Sequence, residues 1–395
     1  MENPFRPGAG HQPPYLAGRV EEKAEFEELL AQKVILKNLI ITGLRGIGKT
    51  VLLEELKPAA IAHGWRWTGT DCSESASVNE ESMAVRLITD LSLIVSDIPV
   101  NNKEVSEIGF LPKTTTETTY LNFELLMAHY KAVPGLPSDK LKSVLEVVWQ
   151  FIRQENASGI VFAYDEAQTL GDHAKEHQFP LSLLLDVFQS IQKKEIPFML
   201  VLTGLPTLLS NLIETRTYSE RLFRVMVLEK LTPEESRDAI LKPIKQGQMV
   251  FTPESVQCIV DESGGYPYFI QFICKEIYDI WLQKLSQGEP AAVPMQTIIQ
   301  KLDNDFFAGR WERATDREKD LMRIIAQHCK NEFHVQDIVN ASQNGDQKAF
   351  SYSHTSQMLK RLIEHGLVYK NRRGSYSFAV PLLETFIRRE KQNIP

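Results

Sequence analysis

Residues 34–50 read VILKNLIITGLRGIGKT and indicate the fold class. The stretch opens with a short apolar run that contains β-branched residues, and it continues through a glycine-rich turn. The residues that follow, KTVLLEELKPAAIAHG, place apolar side chains at helical spacing. Residues 43–50, GLRGIGKT, match the pattern GxxxxGK[ST] at every position. The sequence therefore predicts a phosphate-binding loop at the junction of a strand and a helix.

Each position of this loop has a chemical role. Glycines allow successive backbone N–H groups to point at phosphate oxygens, and the following helix presents its positive N-terminal end. Lys49 is expected to reach the β and γ phosphates of ATP, and Thr50 to offer its hydroxyl to Mg²⁺. A structural glycine-rich turn is the alternative, but the strand-to-helix position favours nucleotide binding. The predicted nucleotide contacts in the loop are Gly43, Leu44, Arg45, Gly46, Ile47, Gly48, Lys49, Thr50 and Val51.

Short apolar strands alternate with helices on both sides of the loop. Strands are predicted at WRWTGTD (65–71), GIVFAYDEA (159–167) and PFMLVLTG (197–204), and helices at 81–95, 138–154 and 180–194. This alternation predicts an α/β core, with a parallel sheet covered on both faces. Residues 96–137 are polar and predict an insertion with a short helix around 122–130.

Two acidic residues follow the apolar run IVFAY at the predicted carboxyl end of a strand, where ligands of open α/β sheets bind. Asp165 is expected to hold Mg²⁺ through its water shell, and Glu166 to polarise the attacking water. Acidic pairs at strand ends also occur as solvated turns or helix caps, but the Lys49 motif in the same sheet favours the catalytic interpretation. Thr203 ends the next strand and is expected either to contact the γ-phosphate or its water, or to close the strand as a β-branched residue.

The segment ETRTYSERLFR carries three arginines that could act on a neighbouring subunit. Arg216, Arg221 and Arg224 are candidates for reaching a neighbour's γ-phosphate and stabilising the charge of the transition state. Arg221 is the leading candidate. The alternative is that these side chains are solvated surface residues.

The strand signal stops after residue 231, and the chain becomes helical. Capping-box sequences begin at Thr232 and Thr315, and the turn GGYP precedes a further helix. From Thr315 onward, three helices and two short strands around a basic turn follow the order of a winged helix-turn-helix. The predicted segments are an extended arm (1–14), an α/β core (15–230), a helical lid (231–309) and a winged helix (310–395).

Basic residues are in excess in this last segment, although the whole chain carries a net charge of −7. In the candidate recognition helix, Ser353, His354 and Gln357 are expected to face outward with two basic residues. Such a surface could neutralise DNA phosphates. A winged helix that binds protein or autoinhibits is the alternative. The predicted DNA-contacting residues are Lys360, Arg361, Lys370, Arg372 and Arg373.

Composition excludes several other classes. At 395 residues the chain is expected to hold two or three domains. It has neither a membrane-length apolar run nor the pattern of a signal peptide at its start, so a cytoplasmic protein is expected. The four cysteines contain no CxxC pair, which argues against a zinc site and a disulfide framework, and buried thiols are expected instead. They are Cys72, Cys258, Cys274 and Cys329.

Together these features resemble the AAA+ superfamily, and within it the origin-recognition-like initiators and the STAND-like signalling ATPases. The motifs that carry the resemblance are YLAGRVEE (15–22), GLRGIGKT, VFAYDE, SERLFR, GGYPYFIQ (264–271) and the winged-helix pattern. The resemblance implies that Leu16, Gly18 and Arg19 lie near the adenine, that Thr203 is the first sensor and that Pro267 packs against the base or ribose. Initiators carry an arginine in the lid turn, which is lacking here, and this departure favours a slow, switch-like ATPase.

The leading hypothesis is an ATP hydrolase that couples ATP binding to DNA binding or to assembly, with ATP, Mg²⁺, DNA and a homo-oligomer as expected partners. A STAND-like sensor whose winged helix binds protein is the second hypothesis. A kinase is less favoured, because the acidic pair at Asp165 and Glu166 suits water activation better than a hydroxyl acceptor.

Overall fold

The computed structural model divides the chain into two compact units. The sheet unit comprises Val20–Thr42 and Leu52–Val227, and the helical unit comprises Met1–Arg19, Gly43–Val51 and Leu228–Pro395. No helix in the described ranges is long and apolar enough to cross a membrane. The structure describes residues 2–8, 10–106, 114–215, 219–244, 251–287, 294–329, 332–343, 349–371 and 374–392. The domain boundaries predicted above stay a prediction.

A five-stranded parallel sheet is the centre of the sheet unit. The elements up to residue 227 are α1 (Val20–Leu30), β1 (Asn38–Thr42), α2 (Lys49–Ala62), β2 (Trp65–Thr68), α3 (Glu80–Val95), β3 (Pro99–Ser106), β4 (Thr114–Tyr120), α4 (Phe123–Ala132), α5 (Pro137–Ile152), β5 (Gly159–Tyr164), α6 (Pro180–Lys193), β6 (Phe198–Gly204), α7 (Thr207–Thr215), α8 (Ser219–Leu222) and β7 (Phe223–Val227). The strand order is β2-β5-β6-β1-β7, and all pairs are parallel.

The burial of the strands explains why they form the interior of this sheet. Every residue of β1, β5 and β6 is buried, as expected for parallel strands that have both faces covered. In register, Ile41 of β1 lies opposite Thr203 of β6, and Tyr164 of β5 lies opposite Leu202. The carboxyl ends of β1, β5 and β6 therefore share one edge, and the predicted α/β fold class is confirmed.

Several elements of the sheet unit were not predicted. The polar insertion contains the expected short helix, α4, capped by the Asn122 side chain, which accepts a 3.0 Å hydrogen bond from the Leu125 N–H. It also contains the antiparallel hairpin β3–β4, whose threonine-rich sequence has no apolar periodicity. The helices α7 and α8 and the edge strand β7 are further additions, and β7 begins in the segment treated above as a source of arginines.

The helical unit contains the remaining helices and one hairpin. They are α9 (Pro233–Leu241), α10 (Pro253–Ser263), α11 (Pro267–Gln287), α12 (Met295–Leu302), α13 (Gly309–Trp311), α14 (Asp316–His328), α15 (Val335–Ser342), α16 (Tyr352–Glu364), β8 (Val368–Lys370), β9 (Tyr376–Phe378) and α17 (Leu383–Gln392). Both predicted capping boxes are present: Thr232 with Glu235 begins α9, and Thr315 with Glu318 begins α14. A π-helical turn, Asp303–Ala308, connects α12 to α13.

One hydrophobic core runs through the helical unit. It includes Phe269 of α11, Leu362 of α16 and Phe5 of the N-terminal arm. The helix α17 was not predicted, and its Phe386 ring stacks on Phe307 at 5.1 Å between ring centroids. The order α14, α15, α16, β8–β9 follows the sequence expectation, and the assignment as a winged helix stays a prediction.

Candidate functional site

The loop of residues 43–50 begins directly after β1, and its glycines hold backbone conformations that other residues avoid. Gly46 and Gly48 have φ angles of 73° and 94°, in the left-handed region where a Cβ is disfavoured. A Cβ on Gly46 would also lie 2.9 Å from the Cβ of Tyr268, whereas one on Gly48 would meet no atom within 4 Å. Gly46 is thus required by packing as well as by conformation, and Gly48 borders open space.

Lys49 is directed into the loop. The residue is only 9% exposed. Its ammonium group donates hydrogen bonds of 3.0 Å to the backbone carbonyls of Gly43 and Leu44. Lys49 and Thr50 occupy the first two positions of α2, where the helix N-terminus favours an anion. The local geometry therefore suits a phosphate chain.

The acidic pair follows β5 with two different environments. Asp165 is 5% exposed, and its carboxylate accepts a 2.8 Å hydrogen bond from the Glu166 N–H. Its backbone is held by the Cys72 N–H, which donates to the Asp165 carbonyl at 2.8 Å. Glu166 is exposed and has a positive φ of 51°. Asp165 is thus a buried, hydrogen-bonded carboxylate, and Glu166 is a carboxylate open to solvent.

Gln168, which was not predicted as a site residue, connects Glu166 to the residue that follows β6. Its side-chain amide N–H donates to the Glu166 carboxylate, and its amide oxygen accepts from the Leu205 N–H at 2.9 Å. A Cβ on Gly204 would lie 2.7 Å from that oxygen, so the glycine permits the contact. The only sequence signal was a polar residue two positions after the acidic pair.

Two buried hydroxyl groups lie at the same sheet edge. Thr203 is fully buried and Thr42 nearly so, and among the described residues neither hydroxyl has a hydrogen-bond partner. Such groups are rare in folded proteins, because an unmet hydrogen bond in the interior is costly. The edge of β1 and β6 therefore offers two hydroxyls to a ligand or its water. Thr42 was also missed, although it directly precedes the loop motif.

A buried charged network supports the end of β5 from within the sheet unit. The Tyr164 hydroxyl donates to the Asp90 carboxylate at 2.8 Å, and the Arg86 guanidinium donates to the same oxygen at 3.0 Å. Burial, together with the charge of Asp90, raises the pKa of Tyr164 well above its ordinary value. Burial likewise raises the pKa of the Cys72 thiol to about 12, with Asp165 as the next contribution. This thiol is therefore protonated at neutral pH and is a poor nucleophile.

The three candidate arginines lie in different settings. Arg221 is exposed on α8. Arg224 is on β7 and forms an ion pair with Glu25 of α1. Arg216 lies outside the described residues.

Residues 16–19 of the motif YLAGRVEE belong to the helical unit, where Arg19 contacts the loop and Gly18 lies next to α9. Leu16 and Gly18 are half-buried, and Gly18 and Arg19 have φ angles of 66° and 69°. The Arg19 guanidinium donates to the carbonyl of Ile47 at 3.1 Å and to the carbonyl of Glu229 at 2.8 Å. Arg19 thus contacts the backbone of the phosphate loop.

Helix α11 and the turn after α16 lie next to the loop as well. Pro267 is the first residue of α11, and the next residue, Tyr268, donates its N–H to the Gly46 carbonyl at 3.1 Å. A Cβ on Gly366, in the turn after α16, would lie 3.8 Å from the Arg45 guanidinium. Residues 45 and 46 of the loop are therefore adjacent to two further elements of the helical unit.

The predicted DNA-contacting residues divide into three groups. Lys360 and Lys370 are exposed. Arg361 is engaged within the protein, because its guanidinium lies 2.7 Å from the carboxylate of the buried Glu318. Arg372 and Arg373 lie outside the described residues.

The parallel sheet, the loop after β1 and the acidic residues after β5 define the class of P-loop nucleotide-binding folds. The chain is similar in structure to the Walker-type ATPase of Pyrococcus abyssi, with a TM-score of 0.58 and 16% identity over 95% of this chain and 97% of that one. The resemblance to this group of ATPases, drawn above from the motifs, is thereby confirmed at the level of the fold.

Further similarities are to a protein sequence, a second solved structure and a family model. An uncharacterized HTH-type transcriptional regulator of Methanocaldococcus jannaschii is 22% identical, over 94% of this chain and 88% of that protein. The ORC2 protein of Aeropyrum pernix has a TM-score of 0.49 and 16% identity, over 98% of both chains. Residues 304–387 match a family model described as a domain of unknown function (DUF8462).

Proposed function

We propose that the chain is an ATP-binding AAA+ ATPase that acts as a nucleotide-dependent switch. The observation that carries the proposal is the GLRGIGKT loop, with Lys49 directed into it, directly after a strand of a parallel sheet. Lys49 and the loop amides would bind the phosphates. Thr50 and Asp165 supply the oxygen donors that Mg²⁺ prefers. When bound, Mg²⁺ neutralises negative charge on the β and γ phosphates.

The remaining roles follow from burial and exposure. Glu166 is exposed and would orient the attacking water. Thr203 carries a buried hydroxyl without a partner in the described chain, and it would bind the γ-phosphate or that water. Arg221 is exposed, as a residue that acts on a neighbouring subunit must be. Leu16, Gly18 and Pro267 would line the base and ribose.

Contacts of the loop support the switch. The Gly46 carbonyl accepts a hydrogen bond from the Tyr268 N–H of α11. A change in the loop conformation on nucleotide binding would therefore alter the position of α11. Arg45 is adjacent to the turn after α16, so the C-terminal segment would respond to the same event. The protein would thus convert nucleotide occupancy into a change in the exposure of its C-terminal surface.

We further propose that the output is binding of duplex DNA through Lys360, Lys370, Arg372 and Arg373. Two of these side chains are exposed, and a relative described as an HTH-type regulator supports the assignment. A second candidate is the STAND-like sensor that binds protein. The pairing of Arg361 with Glu318 favours it, because one predicted phosphate contact is already engaged.

Calorimetry on the full chain tests the core of the proposal. Heat of binding for Mg-ATP and Mg-ADP is expected, together with slow release of inorganic phosphate from ATP. Absence of binding to both nucleotides would refute it. Salt-dependent binding of duplex DNA then separates the two outputs, since only DNA binding predicts an affinity that falls steeply with salt.

A further inference from the structure

Arg19 is a buried charge whose hydrogen bonds join two segments of the helical unit. The residue is 8% exposed, and burying a guanidinium is costly unless it is hydrogen-bonded. Its donors reach the Ile47 carbonyl, in the phosphate loop, and the Glu229 carbonyl, between β7 and α9. Arg19 therefore joins the phosphate loop to the segment between β7 and α9 through hydrogen bonds.

The backbone around Arg19 holds an uncommon conformation. Arg19 is a non-glycine residue with a φ of 69°, which is unfavourable and persists only where the surroundings impose it. The preceding Gly18 lies so close to α9 that a Cβ would be 2.9 Å from the Glu235 carboxylate. That carboxylate is engaged in the capping box, where it accepts from the Thr232 N–H at 2.8 Å. The turn is thus held against the start of α9.

Restraint of the Ile47 carbonyl has a direct consequence for the next N–H group. In a trans peptide unit the C=O and the following N–H point in opposite directions. Holding the Ile47 carbonyl toward Arg19 therefore directs the Gly48 N–H away from Arg19. Gly48 borders open space and belongs to the motif whose N–H groups bind phosphate.

We propose that Arg19 is a positioning residue of the phosphate loop, which orients the Ile47–Gly48 peptide so that the Gly48 N–H is set in advance for a nucleotide phosphate. The adenine contact expected from the sequence is the alternative to this role, and both rest on the proposed nucleotide binding. The positioning role predicts an effect on phosphate affinity and none on the choice of base.

Arg19→Ala and Arg19→Lys test the role by calorimetry with Mg-ADP and Mg-GDP. Arg19→Ala removes the charged donor of the hydrogen bonds to Ile47 and Glu229, so Mg-ADP is expected to bind about tenfold to a hundredfold more weakly. The ratio of ADP to GDP affinity stays as in the unaltered chain. Arg19→Lys retains the charge and is expected to recover part of the affinity. The matched control is Arg6→Ala, an exposed arginine of the same arm.

Amide hydrogen exchange of residues 43–50, with and without saturating Mg-ADP, provides a second measurement. Bound Mg-ADP is expected to slow exchange of the Gly48 N–H in the unaltered chain, to slow it less in Arg19→Ala and to slow it almost normally in Arg19→Lys, with cooperative unfolding of both variants confirming the fold. If Arg19→Ala does not fold, Arg19→Lys, whose ammonium group keeps a positive charge and three N–H donors, carries both measurements.

Three results would overturn the inference. One is equal Mg-ADP affinity in the variants, and another is a loss of base preference at unchanged loop exchange, which would restore the adenine contact. A third is an unaltered chain that binds no Mg-ADP, in which case the proposed function fails as well. The last result differs from the first two because it appears before any substitution is made.

Discussion

The phosphate loop and the C-terminal basic surface were both predicted from sequence, and they differ in how local their determinants are. In the loop, Gly46, Gly48 and Lys49 take conformations and contacts that belong to the motif itself. On the C-terminal surface, Arg361 is paired with Glu318, a residue 43 positions earlier in the chain. A sequence motif that specifies a local backbone conformation predicts the structure directly. Whether a charged side chain is available to a partner depends also on residues that are distant in the sequence.

The largest expected effect is at the loop. Lys49→Ala removes the ammonium group from a buried position, and tight binding of Mg-ATP is expected to be lost, with at least about a hundredfold rise in Kd. Calorimetry measures it. Lys57→Ala, an exposed lysine of the same helix α2, is the control and should bind normally. Normal binding by Lys49→Ala would show that the motif is only a structural turn.

The next effect separates binding from turnover. Glu166→Gln keeps the shape of the side chain but not its charge, so Mg-ATP binding should persist while phosphate release falls about a hundredfold or more. Phosphate release under saturating ATP measures turnover. The exposed Glu176 supplies the control as Glu176→Gln. Equal turnover in Glu166→Gln would mean that another group orients the water.

Sequence patterns predicted the parts of the fold that depend on local periodicity. The parallel sheet and the capping boxes of α9 and α14 were found as predicted, because burial and capping follow from neighbouring residues. The hairpin β3–β4 and the helix α17 were missed. The sequence of the hairpin has no alternation of apolar and polar residues. The helix α17 follows β9 closely, and its start has no strong capping sequence.

In the candidate site, too, the residues of local motifs were predicted and the contacts between distant segments were not. The motif located Lys49 and Asp165, but the contacts of Gln168 with Glu166 and Leu205 join residues from separate elements. The bonds from Arg19 to Ile47 and Glu229 likewise depend on the folded chain. No sequence spacing encodes them, because they arise only when distant segments are brought together.

A smaller effect is expected at the exposed lysines. If duplex DNA is the partner, Lys360→Ala with Lys370→Ala should weaken binding and lower the slope of log affinity against log salt by about 2, one for each lost phosphate contact. Fluorescence anisotropy across a salt series measures the slope. Lys301→Ala, whose ammonium pairs with Glu276 at 2.7 Å, is the control. An unchanged slope would favour the protein-binding alternative.

The smallest effect concerns Arg361, for which the structure predicts a role in stability. Burial alone would raise the pKa of Glu318, but hydrogen bonds from Thr315 and the charge of Arg361 lower it below its ordinary value. A carboxylate whose pKa is lower in the folded state stabilises the fold above its unfolded pKa, and this contribution is lost as pH falls through the folded pKa.

Arg361→Ala should therefore lower the free energy of unfolding by about 1 kcal/mol at neutral pH, since Arg361 is half exposed and its charge is partly screened. The difference from the unaltered chain should shrink as the solution is acidified, because a protonated Glu318 no longer attracts the guanidinium. Urea unfolding across a pH series measures it, and Lys360→Ala on the same helix is the control. A difference that did not change with pH would mean that Arg361 stabilises α14 by packing, and its charge would then be available to a partner, as the sequence alone suggested.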